Sequence, residues 1–144
     1  MSHTYDYPRP AVTTDAVLFS KHSGGWEVLL IQRKHDPYQD HWALPGGFLD
    51  ESEDPDAGVA RELEEETSLT GIDLRQLGFW GRPGRDPRGH TVSLVYWAIV
   101  DGNRLNPAAA DDAKAVAWHP IDALPSLAFD HSRIVNAGRK CTSA

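Results

Sequence analysis

Residues 47–66 read Gly-Phe-Leu-Asp-Glu-Ser-Glu-Asp-Pro-Asp-Ala-Gly-Val-Ala-Arg-Glu-Leu-Glu-Glu-Glu, and this stretch sets the expected fold and chemistry. Asp54 is a good helix N-cap, and Pro55 suits the first helical position. Val59, Ala60 and Leu63 supply an apolar side, so a helix over residues 55–68 should pack on a sheet and show its acids to a cleft. On that helix Glu62, Glu65 and Glu66 are related by i, i+3 and i+4, which gathers three carboxylates on one face. Like charges at that spacing repel, and a divalent cation held by oxygen ligands is the natural compensation. Residues 50–66 carry nine acids against Arg61 alone, a charge of −8, while the whole chain carries −7. The remainder is therefore close to neutral. The acidity is local, which argues against an ordinary solvated acidic helix.

Outward from this segment, Ala11–Ser20 (AVTTDAVLFS) and Trp26–Gln32 (WEVLLIQ) read as strands joined by a Gly-containing turn. Residues 33–41 form a loop, and Trp42–Pro45 is a short extended piece running into Gly46-Gly47. Ile72–Trp80 and Thr91–Val100 read as strands flanking a Gly/Pro-rich loop. A further strand is expected near Lys114–His119, and a last helix from about Phe129. The elements lack a regular βαβ rhythm, so the expected class is α/β with a mixed sheet covered by helices. At 144 residues the chain is expected to be one domain, residues 1–144, large enough to bury a core without disulfide or metal staples. Cys141 has no second cysteine to pair with, which fits a reducing compartment. The N-terminus lacks the apolar region of a signal peptide, and no stretch has the ~18 apolar residues of a membrane span. A cytoplasmic protein without a membrane partner is expected. Net negative charge also argues against nucleic acid as a partner.

The spacing Gly47-x5-Glu53-x7-Arg61-Glu62-Leu63-x-Glu65-Glu66-x-Ser68-Leu69 resembles the Nudix box, the signature of hydrolases acting on nucleoside diphosphates linked to another moiety. One position departs: the family usually has glycine where this chain has Ser68, at the turn that ends the helix. The resemblance implies an α/β/α sandwich about a mixed sheet. It also implies that Glu62, Glu65 and Glu66 bind Mg2+, or Mn2+, with the Gly46 carbonyl as a further ligand. Arg61 would orient Glu65, and Glu53 would support the loop-to-helix geometry. The general base is left open between a box glutamate and Asp111 or Asp112 on a later loop, with Asp86 as a third candidate. Independently of the family, hard oxygen ligands suit these cations, which neutralise a diphosphate and activate a water.

Arg82, Arg85 and Arg88 recur every third residue in the loop after Trp80, and guanidinium forks suit phosphates. A solvated hairpin tip is the competing reading of that loop. Tyr7-Pro-Arg-Pro10, Gln32-Arg-Lys34 and Gly84-Arg-Asp-Pro-Arg-Gly89 together resemble the Nudix subgroup of bacterial ADP-ribose pyrophosphatases and the Nudix domain of NAD-metabolism repressors. Arg33, Arg82, Arg85, Asp86 and Arg88 are then the substrate-binding candidates. A tryptophan among Trp26, Trp42, Trp80 and Trp97, or Tyr5 or Tyr7, could stack on a base. The histidines show no zinc spacing, and no Gly-x4-Gly-Lys-Ser/Thr loop is present. The expected activity is hydrolysis of ADP-ribose to AMP and ribose 5-phosphate. A Nudix hydrolase of another nucleotide, such as an oxidised deoxynucleoside triphosphate, and a non-catalytic ADP-ribose sensor remain as alternatives. The repressors carry a winged-helix domain for which 144 residues leave no room, and the intact box glutamates also favour an enzyme. The resemblance further implies a homodimer, with Tyr5–Pro10 as a contributor to its contact.

Overall fold

The uninterrupted apolar centre of the first strand places it between two layers. The computed structural model describes residues 2–22, 24–109 and 113–143. In it β1 (Ala11–His22) is buried without a break from Thr13 to Ser20. A strand buried on both faces has no polar alternation to show. Its odd positions Val17 and Phe19 enter one core with Val28, Leu30, Ile134 and Val135. Its even positions Ala16 and Leu18 enter a second, with Leu29, Val59 and Leu63.

The other strands are β2 (Gly25–Arg33), β3 (Trp42–Ala43), β4 (Gly46–Phe48), β5 (Arg75–Trp80), β6 (Thr91–Val100) and β7 (Ala113–Pro120); the helices are α1 (Pro55–Thr67) and α2 (His131–Arg139). β1 pairs in parallel with β6 and antiparallel with β2 and β4, so the sheet is mixed. Its order is β3-β2-β1-β6-β5, with β4 on β1 and β7 on β2. One helix on each face completes the α/β/α sandwich. One edge of β1 is shared: Thr13–Asp15 pair with β4, and Phe19–His22 pair with β2. The two partner strands part between those registers, which carries Gly46 away from β2 over the buried Asp15.

α1 starts where the capping signals put it, with Asp54 Oδ1 accepting from the Asp56 N–H at 2.8 Å. It ends at Ser68, which adopts the left-handed conformation (φ 65°) that the family's glycine takes without a Cβ penalty. Ser68 gains a bond in exchange, its Oγ donating to the Ala108 carbonyl at 3.1 Å. Tyr96 Oη, donating to Asp56 at 2.5 Å, ties the first turn to β6.

Three expectations are corrected. Ala60 is exposed, and the buried side of α1 is made by Gly58, Val59, Leu63, Glu66 and Thr67, so one glutamate belongs to the inner face. β5 begins at Arg75 and not at Ile72, because Gly71 turns the chain at φ 70° and Ile72 and Leu74 pack on the α1-side core. α2 begins at His131 and not at Phe129, whose φ of 53° lies outside the right-handed helix. Tyr5 and Tyr7 are exposed, while Trp26, Trp42, Trp80 and Trp97 are packed against one of the cores. Among the described residues no helix is long and apolar enough to cross a membrane.

Candidate active site

The acidic face of α1 is organised by its one cation. Arg61 forks onto Glu53, donating from Nε to Oε2 at 2.7 Å and from Nη2 to Oε1 at 2.9 Å. Nη1 reaches Glu62 Oε1 at 3.0 Å and Glu65 Oε2 at 3.1 Å, while Nη2 also donates to the Phe48 carbonyl at 3.2 Å. Arg61 thereby offsets the repulsion that the i, i+3, i+4 pattern creates. Glu53 also accepts from the Asp50 N–H at 3.0 Å. The Arg61 bonds first, and that N–H second, hold its carboxyl down at about 2. It therefore stays ionised and fixes the loop entering α1.

The remaining box residues meet the glycines. Glu66 is buried and its Oε1 accepts from the Gly46 N–H at 2.6 Å. A Cβ on Gly47 would stand 2.6 Å from the Glu62 carboxyl carbon, and one on Gly46 would overlap Asp15 Oδ1 and the Thr14 carbonyl. Gly46, which meets backbone, needs glycine for that approach, whereas a side chain at 47 would displace the Glu62 carboxylate. Among the described residues no three Asp, Glu, His or Cys side chains stand as a ready-made cation cage. In this conformation Glu62 and Glu65 meet at Arg61, whereas Glu66 is tied to the Gly46 backbone. As a donor set they still fit a hard cation: three carboxylates and a glycine backbone with no side chain to obstruct it.

Beside this backbone lies a small cleft of about 90 Å³. It brings together Gly46, Glu66, Arg33, Arg85, Asp86 and Arg88. Arg82 is not among them: it is exposed beside a neighbouring hollow with Trp80 and Arg133. Asp111 and Asp112 lie outside the described residues. Arg85 is not a solvated tip. Its side chain is 5% exposed, Nε and Nη2 are held by Asp130 at 2.9 and 2.7 Å, and Nη1 donates to Ser93 Oγ at 2.8 Å. Asp86 is also committed, to Arg88 Nη2 at 2.8 Å and to the Arg88 N–H at 2.9 Å. Burial pushes the Asp86 carboxyl up, but the Arg88 bonds outweigh it and leave the group below its ordinary value. That makes it a poor general base.

Among the cleft residues that were not sequence candidates, three bear on its chemistry. Asp15 and His131 form part of its inner wall, and Phe129 stands beside Arg33 and Arg88. Asp15 had a signal, as a lone acid inside an apolar strand. His131 and Phe129 had none until the chain folded. Burial pushes the Asp15 carboxyl up to about 7 against the opposing pull of Ser93 and Arg85. Burial likewise pushes His131 down to about 4, and its Nδ1 accepts from the Leu44 N–H at 3.0 Å.

These two shifts act oppositely on stability. From its ordinary value near 3.8 up to about 7, Asp15 keeps its proton in the native state and loses it in the unfolded one, so its contribution falls as pH rises. His131 loses its proton on folding between 6.5 and about 4, so its contribution falls as pH drops. Asp15→Asn removes the first alone. The variant-minus-wild-type stability, from urea titrations between pH 4 and 7, should then rise by up to ~1.4 kcal/mol per pH unit. A pH-independent difference would contradict this placement of Asp15.

A mixed sheet between two helices, with a box of glutamates folded onto a Gly-Gly turn beside an arginine-lined cleft, defines a class of fold and site. The NUDIX domain matches residues 9–137, and the chain belongs to the Nudix family. It is 40% identical over 129 residues to an ADP-ribose pyrophosphatase of Methanocaldococcus jannaschii, covering 90% of this chain and 73% of that protein. It is 41% identical over 130 residues to the ADPR responsive transcriptional repressor NtrR of Acinetobacter baylyi, covering 88% of this chain but only 52% of the repressor. The fold matches the Nudix domain of Shewanella oneidensis NrtR complexed with ADP ribose, with a TM-score of 0.87 and 33% identity over 95% of this chain and 93% of that one.

Proposed function

We propose that the protein is a metal-dependent pyrophosphohydrolase of nucleoside diphosphate derivatives, with ADP-ribose as substrate and AMP and ribose 5-phosphate as products. The observation that carries this reading is that Arg33 and Arg88 share one cleft with Glu66 and Gly46, so cations for a diphosphate stand beside the Nudix box. Similarity to an ADP-ribose pyrophosphatase and to a domain complexed with ADP ribose supports the choice of substrate. Glu62, Glu65, Glu66 and the Gly46 carbonyl would hold Mg2+, with Mn2+ as a substitute. The ion would neutralise the diphosphate and lower the pKa of an attacking water.

In this reading the water oxygen bonds to one phosphorus, the bridging P–O bond breaks, and the water proton passes to a base. That base comes from the box glutamates or from Asp111 or Asp112. Arg61 keeps Glu62 and Glu65 oriented, and Glu53 keeps Arg61 in place. Arg33 and Arg88 bind the phosphates, while Arg85 acts by holding the loop that carries Arg88. The charge of −8 over residues 50–66 disfavours nucleic acid at this face.

Hydrolysis rates across a panel of nucleotides test the reading. Two arginines suit two phosphates, whereas a triphosphate would gain from further cations. ADP-ribose should exceed any deoxynucleoside triphosphate, oxidised ones included, by at least about tenfold in kcat/KM, or ~1.4 kcal/mol. A triphosphate leading the panel would contradict it. Tight ADP-ribose binding without turnover would favour the sensor, the reading to which similarity to the repressor points.

A further inference from the structure

Phe129 occupies an unfavourable backbone conformation at the cleft. Its φ of 53° falls in the left-handed region, which a residue with a bulky side chain rarely adopts. The turn is pinned on both sides. Before it, the Ala128 N–H donates to the Trp42 carbonyl at 2.8 Å, and the His131 N–H closes back onto the Ala128 carbonyl at 3.1 Å. After it, Asp130 stands at the N-cap of α2 but makes no capping bond, because its carboxylate is held by Arg85.

The strained turn delivers one ring to two cations. The Arg33 guanidinium lies 5.0 Å and the Arg88 guanidinium 5.2 Å from the Phe129 ring centroid, and Tyr38 packs against the same ring at 4.9 Å. Each cation has a second hold. Arg33 Nε donates to the Pro37 carbonyl at 2.7 Å, while Arg88 is paired with Asp86 at 2.8 Å and also lies over Phe48 at 4.7 Å. Two guanidiniums in one cleft repel, and an aromatic face attracts each of them without neutralising either. The strained turn therefore sets one aromatic ring against both arginines of the cleft.

We infer that Phe129 is a positioning residue: pinned by the Arg85–Asp130 ion pair, its ring holds Arg33 and Arg88 together as the receptor for a diphosphate group. This rests on the reading of the cleft as a diphosphate site. It assigns the specificity for two phosphates to an aromatic side chain that never donates a hydrogen bond.

The test compares Phe129→Leu, which removes the ring face, with Phe129→Tyr, which keeps it. Two quantities are read: the Kd for ADP by calorimetry, and the split between KM and kcat for ADP-ribose. Phe129→Leu should raise both Kd and KM about tenfold with kcat within about twofold, and Phe129→Tyr should stay within about twofold of wild type. If Phe129→Leu fails to fold, Phe129→Met, which fills similar space without a π face, decides in the same way. Wild-type binding of ADP with Kd and KM unmoved in the folded ring-less variant would overturn the inference alone. Failure of the wild type to bind ADP would overturn the diphosphate reading of the cleft and this inference with it.

Discussion

Glu62→Gln, Glu65→Gln and Glu66→Gln should each lose about 100- to 10,000-fold in turnover at saturating magnesium while the fold survives. Glutamine keeps the volume and one acceptor oxygen, so the Gly46 N–H to residue 66 and the Arg61 contacts to residues 62 and 65 can persist in weakened form. What goes is the charge that a hard cation requires. The fold survives because the repulsion along this face falls as each carboxylate is neutralised. Retention of more than about a tenth of wild-type turnover by all three would show that these carboxylates are not the metal set, since a factor of ten is only ~1.4 kcal/mol of barrier.

The second large effect is on stability. Arg85→Ala deletes the cation from a pair in which Arg85 is 5% and Asp130 20% exposed, leaving the Asp130 carboxylate without its guanidinium and Ser93 Oγ with Thr13 as its remaining partner. Removing one partner of a buried pair commonly costs about 3–5 kcal/mol, much of it from the stranded charge. Asp130 is only partly enclosed, which places the expectation at the lower end, ~3 kcal/mol by urea denaturation. Asp130→Asn keeps an acceptor for Arg85 but strands its guanidinium, the more buried of the two charges, so a loss of similar size is expected. Equal stability of Arg85→Ala and wild type would return Arg85 to the pool of phosphate ligands.

These two predictions mark where the sequence could and could not be read. The box was legible because its signals are local: Asp54 and Pro55 cap a helix, and i, i+3, i+4 spacing puts Glu62, Glu65 and Glu66 on neighbouring positions. A mixed sheet covered by helices was legible from the apolar, β-branched run of β1 and the irregular alternation of elements, while the sandwich came with the resemblance to the family. The arginine loop was half legible. Spacing shows that Arg82, Arg85 and Arg88 belong together, but only the partner 45 residues away, Asp130, shows that Arg85 is a clamp. Glu66 misled in the same way, since helical periodicity cannot tell that the Gly46 backbone will meet it on the inner face of α1. Asp15, Phe129 and His131 reach the cleft because β1 runs beneath Gly46 and α2 returns beside Arg88. No local pattern encodes that return.

The cleft and the Nudix box together are expected to cleave a diphosphate bridge. Chromatography of the products of purified protein with ADP-ribose and magnesium tests it most directly. AMP and ribose 5-phosphate in equal amounts, absent in Glu65→Gln, are the predicted result. Intact ADP-ribose alongside pyrophosphate released from a nucleoside triphosphate would contradict it.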